Sequence, residues 1–213
     1  MKIDKLFAGL KRIENGDYVL EGDLASEETI EVDLNDRLVV RGSIISKKSI
    51  VVRLGIEAGW GIKAGCGIEA GCGIEAGWGI EAGCGIKAGC GIKAGCGIEA
   101  KTFLDVKKRI FAGVSVYHTS ENCRKFIKCA ELRNGEVAFG DLIIEPELPE
   151  LLPCPFCGRE NPAVLSAAEI DKKQQDEPVT YTVCCKFNHG GCGACSGYQD
   201  TKKAAIEAWN KRG

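Results

Sequence analysis

Aliphatic side chains recur at every sixth position through the middle of the chain. They fall at Val32, Leu38, Ile44, Ile50, Ile56, Ile62, Ile68, Ile74, Ile80, Ile86, Ile92, Ile98, Leu104, Ile110 and Val116, fifteen positions without a miss. A period of six matches neither the 3.6-residue helix nor the 3.5-residue heptad. It suits short strands separated by bends, with one inward side chain per face. Between residues 55 and 100 the pattern sharpens into near-identical hexads, Gly-Ile-Glu/Lys-Ala-Gly-Cys/Trp. Fifteen glycines lie between Gly55 and Gly97. Each would cost about 0.5–1 kcal/mol relative to alanine inside regular structure, so they are expected at corners that need glycine's conformations.

Spacing within the hexads sets the number per turn. Trp60 and Trp78 are eighteen residues apart, and the other equivalent positions from 66 to 96 are cysteine. Three hexads per coil would stack the two indoles, and would set Cys66 beside Cys84 and Cys72 beside Cys90; a two-hexad coil is the competing geometry. On these residues the chain resembles the hexapeptide-repeat, left-handed β-helix proteins. The resemblance implies a mainly β, three-sided solenoid of nearly five coils from Val32 to Val116, stacked about 4.8 Å apart. Many such proteins are acyltransferases with a histidine near a subunit boundary. Here the only histidine in or near the array is His118, past the last coil, and no loop interrupts the hexads. A rigid spacer, recognition surface or homo-oligomerisation element is expected instead of an enzyme. The outward column pairs Lys63 with Glu81, Glu69 with Lys87 and Glu75 with Lys93 across eighteen residues, exposed contacts worth about 0–1 kcal/mol each. The repeat cysteines are read as compact, slightly apolar filler beneath a tight coil, in preference to a metal ladder or a disulfide stack.

The flanks divide the chain into an N-terminal cap over 1–29, the solenoid over 30–118, a C-terminal cap over 119–145, a proline-rich linker over 146–153 and a small module over 154–213. In residues 1–13, Ile3, Leu6, Phe7, Leu10 and Ile13 have helix-like spacing that could cover the open strand edges of a first coil. Cys123 and Cys129 in the second cap are expected to be buried thiols. All six prolines lie beyond residue 145. Proline is poorly tolerated inside stacked strands, so its absence upstream fits the sheet reading, and its cluster marks an extended linker.

The module carries the chemistry. Cys154 and Cys157, two residues apart, can converge on one ion, with Gly158 relaxing the turn behind them. Zinc prefers four such ligands in a tetrahedron. A second set lies in the run 184–195, which offers Cys184, Cys185, His189, Cys192 and Cys195. A redox dithiol is the weaker reading, because no βαβ setting surrounds the pair. Residues 163–170 and 179–185 read as two strands, and Thr201 caps a helix over 201–212 that buries Ala205, Ile206 and Trp209. Two knuckles, a hairpin and a closing helix make a zinc-ribbon-like fold, too small to dispense easily with its metal.

Three motifs are more specific: Leu-Pro-Cys-Pro-Phe-Cys-Gly at 152–158, Gly-Gly-Cys-Gly-Ala at 190–194, and Ala-Ala-Ile-Glu-Ala-Trp-Asn-Lys-Arg at 204–212. Together they resemble the restriction alleviation protein Lar family over about residues 151–212. That resemblance carries zinc ligation directly onto Cys154, Cys157 and Cys192. For the fourth ligand it favours Cys185, which follows the second strand, although six residues separate it from Cys192 where the family has two. His189, with the usual spacing, Cys184 and Cys195 are the alternatives. The resemblance implies a phage or prophage modulator of host restriction–modification, acting by binding its protein subunits or DNA.

Bulk properties trim these expectations. The net charge of −2 argues neither for a nucleic-acid glove nor for a strongly acidic DNA mimic. Residues 1–36 hold ten acids and four bases, and 151–213 hold eight bases and seven acids. Direct DNA contact would rest on Lys172, Lys173, Lys186, Lys202, Lys203, Lys211 and Arg212, a dispersed set typical of a solvated surface, so a protein partner is at least as well supported. Charges break every apolar run, which excludes a signal-like start and a membrane-spanning helix. Thirteen cysteines without a signal fit a reducing, cytoplasmic setting, in which bridges are disfavoured.

Overall fold

The computed structural model describes residues 1–114, 125–146, 148–160, 162–166, 180–186 and 190–211. The chain forms two compact units, Met1–Pro146 and Glu147–Gly213.

In the first unit each hexad gives one three-residue strand and one bend. Ile56–Ala58, Ile62–Ala64 and Ile68–Ala70 occupy the three faces of one coil. Each pairs in parallel with the strand eighteen residues on, so that Ile56 faces Ile74, Ile62 faces Ile80 and Ile68 faces Ile86. The solenoid makes about six turns. One face is a seven-stranded sheet, and the other two merge into a thirteen-stranded sheet. They merge because Phe103–Ala112 runs through its corner unbroken, pairing with both Ile86–Ala88 and Ile92–Ala94. Two side chains per hexad, the isoleucine and the alanine two residues later, are buried in a single continuous core. Burying each isoleucine contributes about 2 kcal/mol. The alanine leaves room for three isoleucines to meet inside a narrow prism.

The repeat glycines have a different reason from the expected one. None of those between 55 and 97 has a positive φ. What excludes a side chain is the neighbouring coil: a Cβ on Gly77 would lie 2.1 Å from the Gly59 carbonyl oxygen, and one on Gly89 would lie 1.9 Å from that of Gly71. The other glycine of the hexad is less constrained in the middle of the array, where a Cβ on Gly73 would sit 3.5 Å from the Gly91 oxygen, ordinary contact; towards the far end it is tight again, a Cβ on Gly91 falling 2.8 Å from the Arg109 carbonyl oxygen. Stacking distance, not backbone conformation, selects glycine here.

The eighteen-residue register also explains the outer surface. Trp60 and Trp78 stack with ring centroids 5.6 Å apart. Lys63 pairs with Glu81 at 2.9 Å, Lys87 with Glu69 at 3.1 Å, and Lys93 with Glu75. The cysteines are not beneath the coil. Cys66 and Cys84 are exposed and Cys72 and Cys90 half-buried, all at corners, so the filler reading fails for them.

Coiling extends beyond the expected 30–118. Tyr18–Leu20, Leu24–Ser26 and Ile30–Val32 form a coil that pairs with the next in a twenty-residue register, Tyr18 with Leu38, Leu24 with Ile44 and Ile30 with Ile50. Val32 therefore occupies the alanine column, and two extra residues with buried Leu34 separate Ile30 from Leu38. The expected helix over 1–13 is absent. Lys2–Ile3 joins the sheet in parallel beside Ile30–Val32, with the Glu31 N–H donating to the Met1 carbonyl at 2.8 Å. Lys11–Arg12 folds back antiparallel onto Tyr18–Leu20. Leu6 is 92% exposed, whereas Phe7 and Leu10 pack against the core. Covering strand edges by backbone pairing outweighed a helical repeat of only four or five apolar residues.

At the other end, Ile98–Ala100 is followed on its face by Phe126–Cys129 and then Asp141–Ile144. Val116, His118 and Cys123 lie outside the described residues. Cys129 is buried, and burial pushes its thiol pKa up.

In the second unit, Ala163–Ser166 and Tyr181–Cys184 form an antiparallel hairpin. The segment beyond Cys192 returns along the hairpin, bridging Cys184 to Cys195 and Tyr181 to Gln199. The helix Lys202–Asn210 follows, its first turn capped by the Thr201 hydroxyl, which accepts from the Ala204 N–H at 3.1 Å. Ala205, Ile206 and Trp209 bury against Val183 and Cys185.

Candidate metal centre

Two backbone turns bring four sulfurs together. In the first knuckle the Gly158 N–H donates to the Cys154 carbonyl and the Cys154 N–H to the Arg159 carbonyl, both at 2.8 Å. Gly158 closes this turn with φ +70°, a conformation favouring glycine. In the second, the Cys185 N–H donates to the Ala194 carbonyl at 2.8 Å and the Gly193 N–H to the Cys185 carbonyl at 2.9 Å. This pairing draws Cys192 back to Cys185, and the Gly191 N–H donates to the Lys186 carbonyl at 2.9 Å. Gly191 completes it, since a Cβ there would lie 2.5 Å from the Cys185 sulfur.

The Sγ atoms of Cys154, Cys157, Cys185 and Cys192 all lie within 4.8 Å of one another. Cys154 and Cys192 approach to 3.5 Å, and Cys157 and Cys185 to 3.6 Å. A tetrahedral zinc site with bonds of about 2.3 Å has sulfurs about 3.8 Å apart, so this donor set fits such an ion. Cys154 and Cys185 are buried, and Cys157 and Cys192 exposed.

The thiols are electrostatically unequal. The Arg159 backbone N–H donates to the Cys157 sulfur and holds its pKa down to about 7. At Cys185 a hydrogen bond from the Cys192 N–H pulls downward, but burial and the neighbouring thiols prevail and push it up to about 11. Cys192 is likewise raised: the Ala194 N–H pulls it down, and burial with Cys154 and Cys157 outweighs that pull. Four thiols crowded without a cation resist ionising together, and a divalent ion removes that resistance.

Of the alternative ligands, Cys184 and Cys195 are joined to each other as a disulfide, with Cα atoms 4.2 Å apart. This departs from the expectation that no bridge would form, and follows from their direct opposition in the antiparallel bridge. His189 lies outside the described residues.

Several supporting residues escaped the sequence reading. The Trp209 indole N–H donates to the Leu152 carbonyl at 3.0 Å, and the Asn210 side chain accepts from the Leu152 N–H at 3.1 Å while donating to the Glu150 carbonyl at 2.7 Å. The adjacent Trp and Asn thus clamp the segment leading into the first knuckle. Ser196 is buried, and its hydroxyl accepts from the Val183 N–H at 2.9 Å and lies 3.3 Å from the Thr182 hydroxyl. The signal for the clamp was the Trp209-Asn210 pair within the third motif, where spacing gave Trp209 a buried place on the helix and Asn210 no role.

No curated protein and no solved structure compared with the chain matches it. Residues 149–213, which contain both knuckles, the hairpin and the clamping helix, match the family model of the restriction alleviation protein Lar.

Proposed function

We propose that this chain is a non-catalytic binding protein of phage or prophage type. Its Lar-like module, held by zinc on Cys154, Cys157, Cys185 and Cys192, docks on subunits of a host restriction–modification enzyme in the cytoplasm. The match of residues 149–213 to the Lar family carries this reading, and the convergence of four cysteines within 4.8 Å supports the metal. When bound, zinc supplies cohesion to a unit whose hydrophobic core, among the described residues, is a cluster of six buried side chains. Four protein ligands leave it no open position for chemistry. The solenoid serves as a stiff carrier, with its core of stacked isoleucines and its mixed-charge surface, and is a surface through which copies could associate. Among the described residues no helix is long and apolar enough to cross a membrane.

The test is affinity capture of the tagged full chain from cells containing a restriction–modification enzyme, alongside the Cys154→Ser/Cys157→Ser variant. Restriction–modification subunits are expected with the intact chain and not with the variant. Recovery of nuclease-sensitive DNA alone, with retention that collapses steeply with salt, would replace this reading with direct nucleic-acid binding.

A further inference from the structure

Cys66, Cys72, Cys84 and Cys90 at the solenoid corners lie outside its hydrophobic core, yet their placement is ordered. The Cys84 N–H donates to the Cys66 carbonyl at 3.0 Å, and the Cys90 N–H donates to the Cys72 carbonyl at 3.0 Å. Each pair therefore sits in register on neighbouring coils, about 4.8 Å apart along the stacking direction. All four thiols are free, and none is buried. Cys72 also lines an open groove of about 1010 Å³ that crosses several coils over Gly55, Gly73 and Gly91.

The corners do not require cysteine. In the column of Cys66 and Cys84 the next coils carry Lys48 and Thr102, and in that of Cys72 and Cys90 they carry Leu54 and Lys108. Residues this varied share one backbone position, so the fold is indifferent to what stands there. Cysteine recurs nonetheless, in two stacked pairs, with Cys96 above Trp78 in the third column.

We propose that each stacked pair binds one soft monovalent d10 cation, Cu(I) by class, in a two-coordinate bridge between coils. A metal–thiolate bond is about 2.3 Å for four-coordinate zinc and slightly shorter for two-coordinate Cu(I), so two in line span a little under about 4.6 Å, within a small side-chain adjustment of the coil spacing. Thiolates without nitrogen or oxygen donors select Cu(I) over harder divalent ions. On binding, both thiols release their protons to solvent and each sulfur donates an electron pair to the metal, with no change in oxidation state. The site is independent of the Lar-like module and of the function proposed for it.

The experiment uses the zinc-loaded full chain under anaerobic conditions with a phosphine reductant. Cu(I) is added as its acetonitrile complex, and zinc and copper are counted separately by native mass spectrometry. The intact chain is expected to bind two more Cu(I) ions than C66S/C72S/C84S/C90S. C72S/C90S, which keeps the Cys66–Cys84 pair, should retain one of these. C72S/C84S, which keeps two thiols on different corners, should retain neither. Unchanged circular dichroism and melting temperature confirm that the variants fold. Equal copper on the two double variants, or on the intact chain and the quadruple variant, overturns the proposal. So does a Cys66–Cys84 bridge that survives the reductant.

Discussion

The indole of Trp209, about two turns into the helix Lys202–Asn210, reaches back to the carbonyl of Leu152, two residues before the first ligand. One hydrogen bond thus couples the end of the module to its beginning. Trp209→Phe keeps most of the apolar volume but leaves that carbonyl unsatisfied, which costs about 1–3 kcal/mol. Trp209→Ala should cost about 3–5 kcal/mol through the cavity it leaves. Zinc competition with a chromophoric chelator should show both as weaker retention, in that order.

Removing the metal should unfold the second unit and spare the first. Strong chelation is expected to abolish hydrogen-exchange protection across the hairpin and the helix Lys202–Asn210, while the amides of the stacked strands stay protected. Retained protection at Val183 and Ile206 after verified zinc loss would show that the module folds on its own core.

Zinc affinity should fall with pH. Cys157 titrates at about 7 and Cys185 at about 11. At pH 8 Cys157 is largely a thiolate and Cys185 must still give up a proton; at pH 6 both must. The lowered pKa of Cys157 therefore favours the site above pH 7 and loses that advantage as pH drops through it. Calorimetry in buffers of differing ionisation enthalpy should detect close to one additional proton released per zinc at pH 6 than at pH 8.

The two glycines of a hexad should respond differently to alanine. At Gly77 the new methyl would collide with the Gly59 carbonyl, an overpacking expected to cost about 1–3 kcal/mol or more. At Gly73 it finds ordinary contact and restricts the unfolded chain, so the change should lie within about 1 kcal/mol and can stabilise. Melting temperatures of the two variants measure the contrast, and equal losses would mean that conformation, not stacking distance, fixes both positions.

Much of this architecture was legible because the repeat is nearly exact. The spacing of Trp60 and Trp78 favoured three hexads per coil over the competing two, and the ion pairs of Lys63, Lys87 and Lys93 followed from the same number. Position in the register was harder to read. Ile30 and Val32 both point inward, since alternate residues of a strand share a face, so counting sixes upstream from Leu38 landed on the wrong one of the pair. At residues 1–13 local spacing suggested a helix, but the need to pair the free edge beside Ile30–Val32 is a tertiary demand that periodicity does not display. In the module, Cys154, Cys157 and Cys192 are marked by short motifs. The route from Cys185 to Cys192 depends on backbone hydrogen bonds and on the missing side chain of Gly191, neither of which a ligand-spacing rule encodes.

Eighteen residues per revolution make the solenoid a screw with a fixed thread. Inserting or deleting one hexad would swing everything downstream by a third of a revolution relative to the N-terminal edge, with only a small axial step. Three hexads together would restore the original azimuth one rung further along. Variation in repeat number would therefore re-aim the C-terminal edge far more than it lengthens the rod.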